Sequence, residues 1–215
     1  MKKALVIGAT GMVGEALLQQ LLQSESFSHV SIFVRKSTGI VHAKLTEWVV
    51  DFDEPALWEQ LVQGDVLFSC MGTTLKSAGS KQAQYKVDFS YQFIMAQIAA
   101  RNGVTHYVLI SSAGANAGSS NFYLSMKGEL DNAVKALPFI KCVIIRPGQL
   151  YGNRKQKRVF ETIAIRCMMG LNKAGLLLKY RPIHATQVAQ AMIHTAVSEK
   201  EGIFTLDELF DLCSN

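Results

Sequence analysis

Short apolar runs alternate with amphipathic stretches along most of this chain. The first run, Leu5-Val6-Ile7, lacks polar alternation and reads as a strand buried on both faces. Behind it, Glu15-Ala16-Leu17-Leu18-Gln19-Gln20-Leu21-Leu22 repeats its apolar positions at helical spacing. Further buried strands are predicted over 30–34, 45–50, 65–69, 107–110, 139–145 and 202–205, with 176–178 a core strand or turn. Between them the pattern predicts a long helix over 80–102, a helix carrying Tyr123 and Lys127, and a short one over 158–171. Residues 181–189 enter another helix with Thr186 as a candidate N-cap, and 206–213 form a last amphipathic turn.

The connection between the first strand and helix carries the first chemistry. In Gly8-Ala9-Thr10-Gly11-Met12-Val13-Gly14, Gly8 permits a tight turn and Gly11 lets the backbone approach a pyrophosphate. Gly14 lets helix and strand pack closely. Strand, glycine turn and helix aim backbone N–H groups and the positive helix end at a phosphate. Met12 and Val13 belong to the same predicted nucleotide-binding surface, and Thr10 faces the ribose side. The expected architecture is therefore a doubly wound, mostly parallel α/β sheet of Rossmann type with helices on both faces. Residues 1–150 form its cofactor-binding core and 151–215 its substrate-side part.

The second strand ends in Arg35-Lys36, where an NAD-specific unit would carry an acidic residue for the ribose 2′-hydroxyl. The Arg35 guanidinium can stack on adenine and pair with a 2′-phosphate, so NADP(H) is expected. Asp51 is the candidate for the adenine amino group, the alternative being a cap for a helix near Pro55. Cys70-Met71-Gly72-Thr73 lies where the second half of the dinucleotide passes, with Gly72 and Thr73 near the pyrophosphate and nicotinamide ribose. Cys70 reads as a small residue at a strand end, with no base to activate it.

Tyr123 and Lys127 stand one helical turn apart, so phenol and ammonium share a face. A neighbouring ammonium favours the phenolate and readies the phenol to pass a proton. A serine at the preceding strand end would orient a substrate oxygen; Ser112 is the choice and Ser111 the alternative. Arg146, Pro147 and Gly148 are expected to pass over the nicotinamide end. His184 reads as a structural histidine at a strand-to-helix junction.

Together the glycine turn, Tyr123-x-x-x-Lys127, Arg146-Pro147-Gly148-x-x-Tyr151-Gly152 and Pro182-Ile183-His184-x-x-Gln187-Val188-Ala189 resemble the extended and atypical short-chain dehydrogenase/reductases over essentially the whole chain. Cys70-Met71-Gly72-Thr73-Thr74 and Ser119-Ser120-Asn121-Phe122-Tyr123-Leu124 are similar to the atypical branch that includes the Tat-interacting oxidoreductase-like proteins. The resemblance implies NADPH binding, with Ser112, Tyr123 and Lys127 in the catalytic positions, and no particular substrate. Two departures stand out: the chain after the sixth strand is short, and the usual serine position falls nearer Ala113.

Composition narrows this further. At 215 residues and 49% hydrophobic, with four prolines, a single globular domain is expected. Cys70, Cys142, Cys167 and Cys213 lie far apart, so neither a disulfide framework nor a metal site is indicated. No apolar run is long enough to span a membrane, and the chain enters its first strand after Met1-Lys2-Lys3, which makes the cytoplasm the default location. The net charge of +5 owes much to residues 154–158, read as a solvated or anion-holding loop rather than a nucleic-acid patch. The expected protein is an NADP(H)-dependent oxidoreductase acting on a small carbonyl or alcohol, as a monomer or as a homodimer through the long helix. The alternative is a non-catalytic NADPH-binding regulator.

Overall fold

Parallel strands buried on both faces are the organising feature of the computed structural model, which describes residues 1–152 and 180–213. Seven strands form one sheet: β1 (Lys2–Ile7), β2 (Phe27–Val34), β3 (Leu45–Val49), β4 (Val66–Ser69), β5 (His106–Ile110), β6 (Lys141–Arg146) and, last in the chain, Gly202–Thr205. Their spatial order is β3-β2-β1-β4-β5-β6 followed by Gly202–Thr205, and each neighbouring pair is parallel. The first three strands run outward from the centre. The fourth returns to the other side of β1, placing a topological switch point between β1 and β4. In such sheets the crevice beyond the strands' carboxyl ends at this point receives ligands.

Side chains alternate across the pleat, so each apolar run serves two cores. Ala4 and Val6 join one core, while Leu5 and Ile7 join the other. The first core is covered by α1 (Met12–Gln23) and a later helix over Ala185–Val197, through Leu17, Leu21, Val188 and Met192. The second is covered by α4 (Tyr91–Arg101) and α5 (Phe122–Lys135), through Met95, Ile98, Leu130 and Val134. Leu17, Leu21, Leu130 and Val134 are completely buried, each contributing roughly 1.5–3 kcal/mol of apolar transfer.

The expected doubly wound architecture is what forms, with differences in detail. A short helix not predicted, α2 (Leu75–Ala78), precedes the predicted long helix, which begins as α3 (Lys81–Tyr85), capped by Ser80, whose Oγ accepts from Ala83 N at 3.1 Å. It then passes through a π-helical turn at Lys86–Ser90 before continuing as α4. The segment near Pro55 is two 3₁₀ turns, Pro55–Leu57 and Glu59–Leu61, rather than a helix. Two short strands, β7 (Leu150–Tyr151) and β8 (Ile183–His184), pair in parallel; β8 gives His184 the expected strand-to-helix junction, whereas β7 forms where only a turn was expected. The helix that follows, α6 (Ala185–Val197), is capped by His184 and not Thr186. His184 Nδ1 accepts from Thr186 N at 3.3 Å, and Gln187 Oε1 accepts from His184 N at 3.1 Å. Gly202–Thr205, now β9, is the edge strand beside β6, and α7 (Glu208–Asp211) ends the described chain. The basic cluster at 154–158, the predicted helix over 158–171, Cys167 and the segment 176–178 lie outside the described residues.

Candidate functional site

The carboxyl ends of β1, β4 and β5 open into a cleft, and the glycine turn forms one wall of it. Gly8 has φ +77°, and a Cβ there would stand 2.4 Å from the Cys70 carbonyl carbon. Only glycine lets the loops after β1 and β4 cross this closely. Gly11 is the N-cap of α1 and offers no side chain to its first-turn N–H groups, which remain available to an anion.

Two adjoining cavities follow from this crossing. The smaller, of about 130 Å³, lies between the glycine turn, Arg35, Phe52, the loop at Cys70–Gly72 and Val87. The larger, of about 830 Å³, runs from Thr10, Gly11, Met12 and Val13 past Cys70–Leu75 to Ser111, Tyr123 and Lys127. A space of this size, with a few convergent polar groups, suits a small molecule or cofactor.

α5 is set by Asn121, whose Oδ1 accepts from Tyr123 N at 3.0 Å and Leu124 N at 3.1 Å. Its approach to the sheet depends on Gly128, where a Cβ would stand 2.2 Å from Ala117 N. The helix thereby brings both Tyr123 and Lys127 to the cleft. Lys127 is nearly fully buried, and its Nζ stands 3.4 Å from Asp88 Oδ1. Asp88 Oδ2 accepts from Thr73 N at 2.8 Å, tying the loop after β4 to the π-helical turn. Gln92 Nε2 donates to the Asp88 carbonyl at 2.7 Å, and Ser69 Oγ donates to Gln92 Oε1 at 2.7 Å. Burial pushes the Asp88 carboxyl up from its ordinary range, with Lys127 and the Thr73 N–H pulling it back.

Several sequence-predicted residues are placed elsewhere. Ser111, rather than Ser112, lines the cleft: it is 5% exposed, and its Oγ has no hydrogen-bond partner among the described residues. Ser112 Oγ instead turns toward the Ala113 carbonyl at 3.4 Å. Asp51 is exposed and bends back to accept from Asp53 N at 2.9 Å, while its neighbour Phe52 lines the smaller cavity. Arg146 is engaged by Asp131 of α5, with Nη2 at 2.8 Å and Nε at 2.9 Å from Oδ2. That carboxylate is fully buried and needs the guanidinium. Pro147 and Gly148 sit beside the β5 exit and Leu206: the Pro147 carbonyl accepts from Ala113 N at 3.0 Å, and a Cβ on Gly148 would lie 3.1 Å from Leu206 Cδ2. Lys36 is exposed past the end of β2, and Arg35 alone of that pair borders a cavity. The Cys70 thiol packs 4.0 Å from Met192 Sδ, and burial pushes it far above the ordinary thiol range. Its backbone, not its sulfur, shapes the cleft.

The sequence reading missed Asp88, Phe52, Asn121 and Gly128. Asp88 carried a signal: an acid with Gln84 and Gln92 one helical turn to either side, a polar row inside a segment rich in apolar residues.

Comparison with known proteins agrees with this geometry. The NAD(P)H-binding family model matches residues 8–198. The FMP52 protein of Saccharomyces cerevisiae is 32% identical over 203 residues, covering 90% of this chain and 87% of its own. The fmp52 protein of Aspergillus fumigatus is 38% identical over 180 residues, covering 80% and 76%. Among solved structures, WbmH of Bordetella bronchiseptica in complex with NAD+ superposes with a TM-score of 0.74 at 17% identity, covering 95% of this chain and 75% of its own. UDP-glucose 4-epimerase of Thermotoga maritima gives 0.71 at 14%, covering 98% and 81%. Both FMP52 relatives are named as mitochondrial, which overturns the default cytoplasmic placement. That default rested on finding no export or membrane signal, and neither core nor cleft chemistry encodes a compartment.

Proposed function

The chain belongs to the NAD(P)H-binding family together with the FMP52 proteins, and on that premise we propose that it is an NADP(H)-dependent oxidoreductase of the short-chain dehydrogenase/reductase type. Its substrate class is a small carbonyl or alcohol. Placement in the atypical branch of that superfamily belongs to the same reading and rests on Cys70-Met71-Gly72-Thr73-Thr74 and on Ser119-Ser120-Asn121-Phe122-Tyr123-Leu124.

The observation that carries the reading is the convergence, on one cleft starting at the glycine turn, of Ser111, Tyr123 and Lys127. Ser111 supplies the fit test for a bound cofactor and substrate: a buried hydroxyl on a residue of the cleft lining, without a hydrogen-bond partner among the described residues. Such a group costs about 1–3 kcal/mol unless it finds a partner.

The N–H groups at the start of α1 and the open backbone at Gly11 would hold the pyrophosphate. Arg35 would pair with the adenosine 2′-phosphate, and Phe52 would give the adenine an aromatic wall. Thr10 and Gly72–Thr73 would border the riboses. When bound, the nicotinamide supplies or accepts the hydride. The chain's own task is then to move one proton. Tyr123 Oη donates it to, or takes it from, the substrate oxygen, Ser111 Oγ orients that oxygen, and the Lys127 ammonium favours the phenolate.

Parallel titration of the purified protein with NADPH and NADH, followed by nicotinamide fluorescence, tests the cofactor. NADPH is expected to bind more tightly, and Arg35→Ala to weaken NADPH roughly 30-fold, the worth of a charge-assisted bond of about 2 kcal/mol, while leaving NADH unchanged. A carbonyl screen comparing wild type with Tyr123→Phe then tests the chemistry. Failure to bind either nucleotide overturns the reading.

A further inference from the structure

We infer that Asp88 is a positioning residue for Lys127: its carboxylate holds the ammonium, tempers the field that reaches the Tyr123 phenol, and ties both to the loop at Thr73. The inference rests on the reading of Tyr123 and Lys127 as the proton-handling pair.

Depth comes first. The Asp88 and Lys127 side chains are 1% and 3% exposed, and charges so far from water persist when each compensates the other. The geometry of the carboxylate is divided. Oδ2 is committed to Thr73 N at 2.8 Å, whereas Oδ1 faces Lys127 Nζ at 3.4 Å. Asp88 is also held from behind, because Gln92 grips its carbonyl and Ser69 grips Gln92. These contacts occur at the π-helical turn Lys86–Ser90, a distortion that recurs at functional sites. A salt bridge kept only for stability would not need a helix bulge or a link to the cleft loop.

The electrostatic consequence has a definite sign. If Tyr123 and Lys127 are the proton-handling pair, the negative charge of Asp88 opposes whatever the ammonium does to the phenol. Among the described residues, few other ionisable groups face the pair. Asp131, one turn further along α5, is engaged by its arginine. Cys70 and Tyr107, from the sheet, are kept protonated by burial, and Lys81 and Glu15 stand at the cleft margin.

The test is the titration of the Tyr123 phenol itself, which requires no known substrate. Full-length protein labelled with ¹³C at tyrosine Cζ is followed by NMR, the Tyr123 signal being identified by its loss in Tyr123→Phe. Asp88→Asn retains an oxygen for the Thr73 N–H and removes only the charge. It is expected to move the Tyr123 transition down by about one pH unit, and Lys127→Gln to move it up, the size of a single-charge effect at short range. If Asp88→Asn titrates with wild type while Lys127→Gln shifts, the inference falls and the Tyr123–Lys127 pairing survives. If neither variant shifts the phenol, the pairing falls too. Should Asp88→Asn fail to fold, Lys127→Gln is compared with the Asp88→Asn/Lys127→Gln double variant. The double variant is expected to titrate at lower pH, and coincidence of the two curves overturns the inference.

Discussion

A side-chain carbon on Gly14 would stand 2.0 Å from the carbonyl oxygen of Gly8. The first turn of α1 therefore rests directly on the end of β1, and its free N–H groups take their position from that contact. The neighbour is backbone and cannot step aside. Gly14→Ala is expected to destabilise the protein by at least about 3 kcal/mol, the upper range of overpacking, and to abolish NADPH binding. Gly79→Ala is the control: φ is +85° there but nothing lies within 4 Å, so only conformational strain of roughly 1–2 kcal/mol applies. Urea unfolding of both variants decides. Equal losses would mean that α1 does not depend on this close approach.

Arg146 and Asp131 differ in their access to water. The Asp131 side chain is wholly buried, while that of Arg146 is 21% exposed. Arg146→Ala strands a charge in the interior and is expected to cost about 3–5 kcal/mol. Asp131→Asn leaves a guanidinium that reaches solvent and should cost clearly less. Denaturant midpoints would show the asymmetry, and a larger loss for Asp131→Asn would refute it.

Alkaline pH should weaken the fold. Burial pushes the Cys142 thiol from 9.0 to about 11, with Asp131 adding to the rise, and holds the Tyr107 phenol well above its ordinary 10.0. In the unfolded chain both groups lose their protons earlier, so above about pH 9 the unfolded state binds fewer protons than the folded state. Stability is intact below that point and falls as pH rises, by up to about 1.4 kcal/mol per pH unit for each group. The Cys142 contribution levels off above about pH 11. Unfolding free energies measured from pH 7.5 to 11 should decline, and less steeply for Cys142→Ala. A flat wild-type profile would contradict this account.

On the adenosine side, Phe52 borders the cavity and Asp51 turns into its own loop. Phe52→Ala is expected to weaken NADPH binding about tenfold through the lost aromatic wall, a contact worth roughly 1–2 kcal/mol. Asp51→Asn should leave binding within about twofold. The reverse order in a fluorescence titration would restore Asp51 as the adenine partner.

Local features of the site were legible in the chain. Strand, glycine turn and helix are contiguous, and a four-residue spacing is enough to place Tyr123 and Lys127 on the same helix face. The choice between Ser111 and Ser112 was not, because consecutive residues leaving a strand face opposite sides and a one-residue ambiguity reverses the answer. Arg146 followed a strand in a motif-like turn and read as a cofactor ligand. Its actual partner, Asp131, lies 15 residues earlier on α5.

By itself the sequence determined the alternation of strands and helices, the glycine turn between the first strand and helix, and the placing of Tyr123 and Lys127 on one helix that reaches the cleft, since each depends on residues within a turn or two of one another. Tertiary structure decided which serine lines the cleft, that Asp88 meets Lys127 across 39 positions of chain, and that Phe52 rather than Asp51 borders the smaller cavity. The physical reason is burial. A charge or hydroxyl removed from water must find its partner wherever packing brings one, and sequence separation carries no record of that meeting.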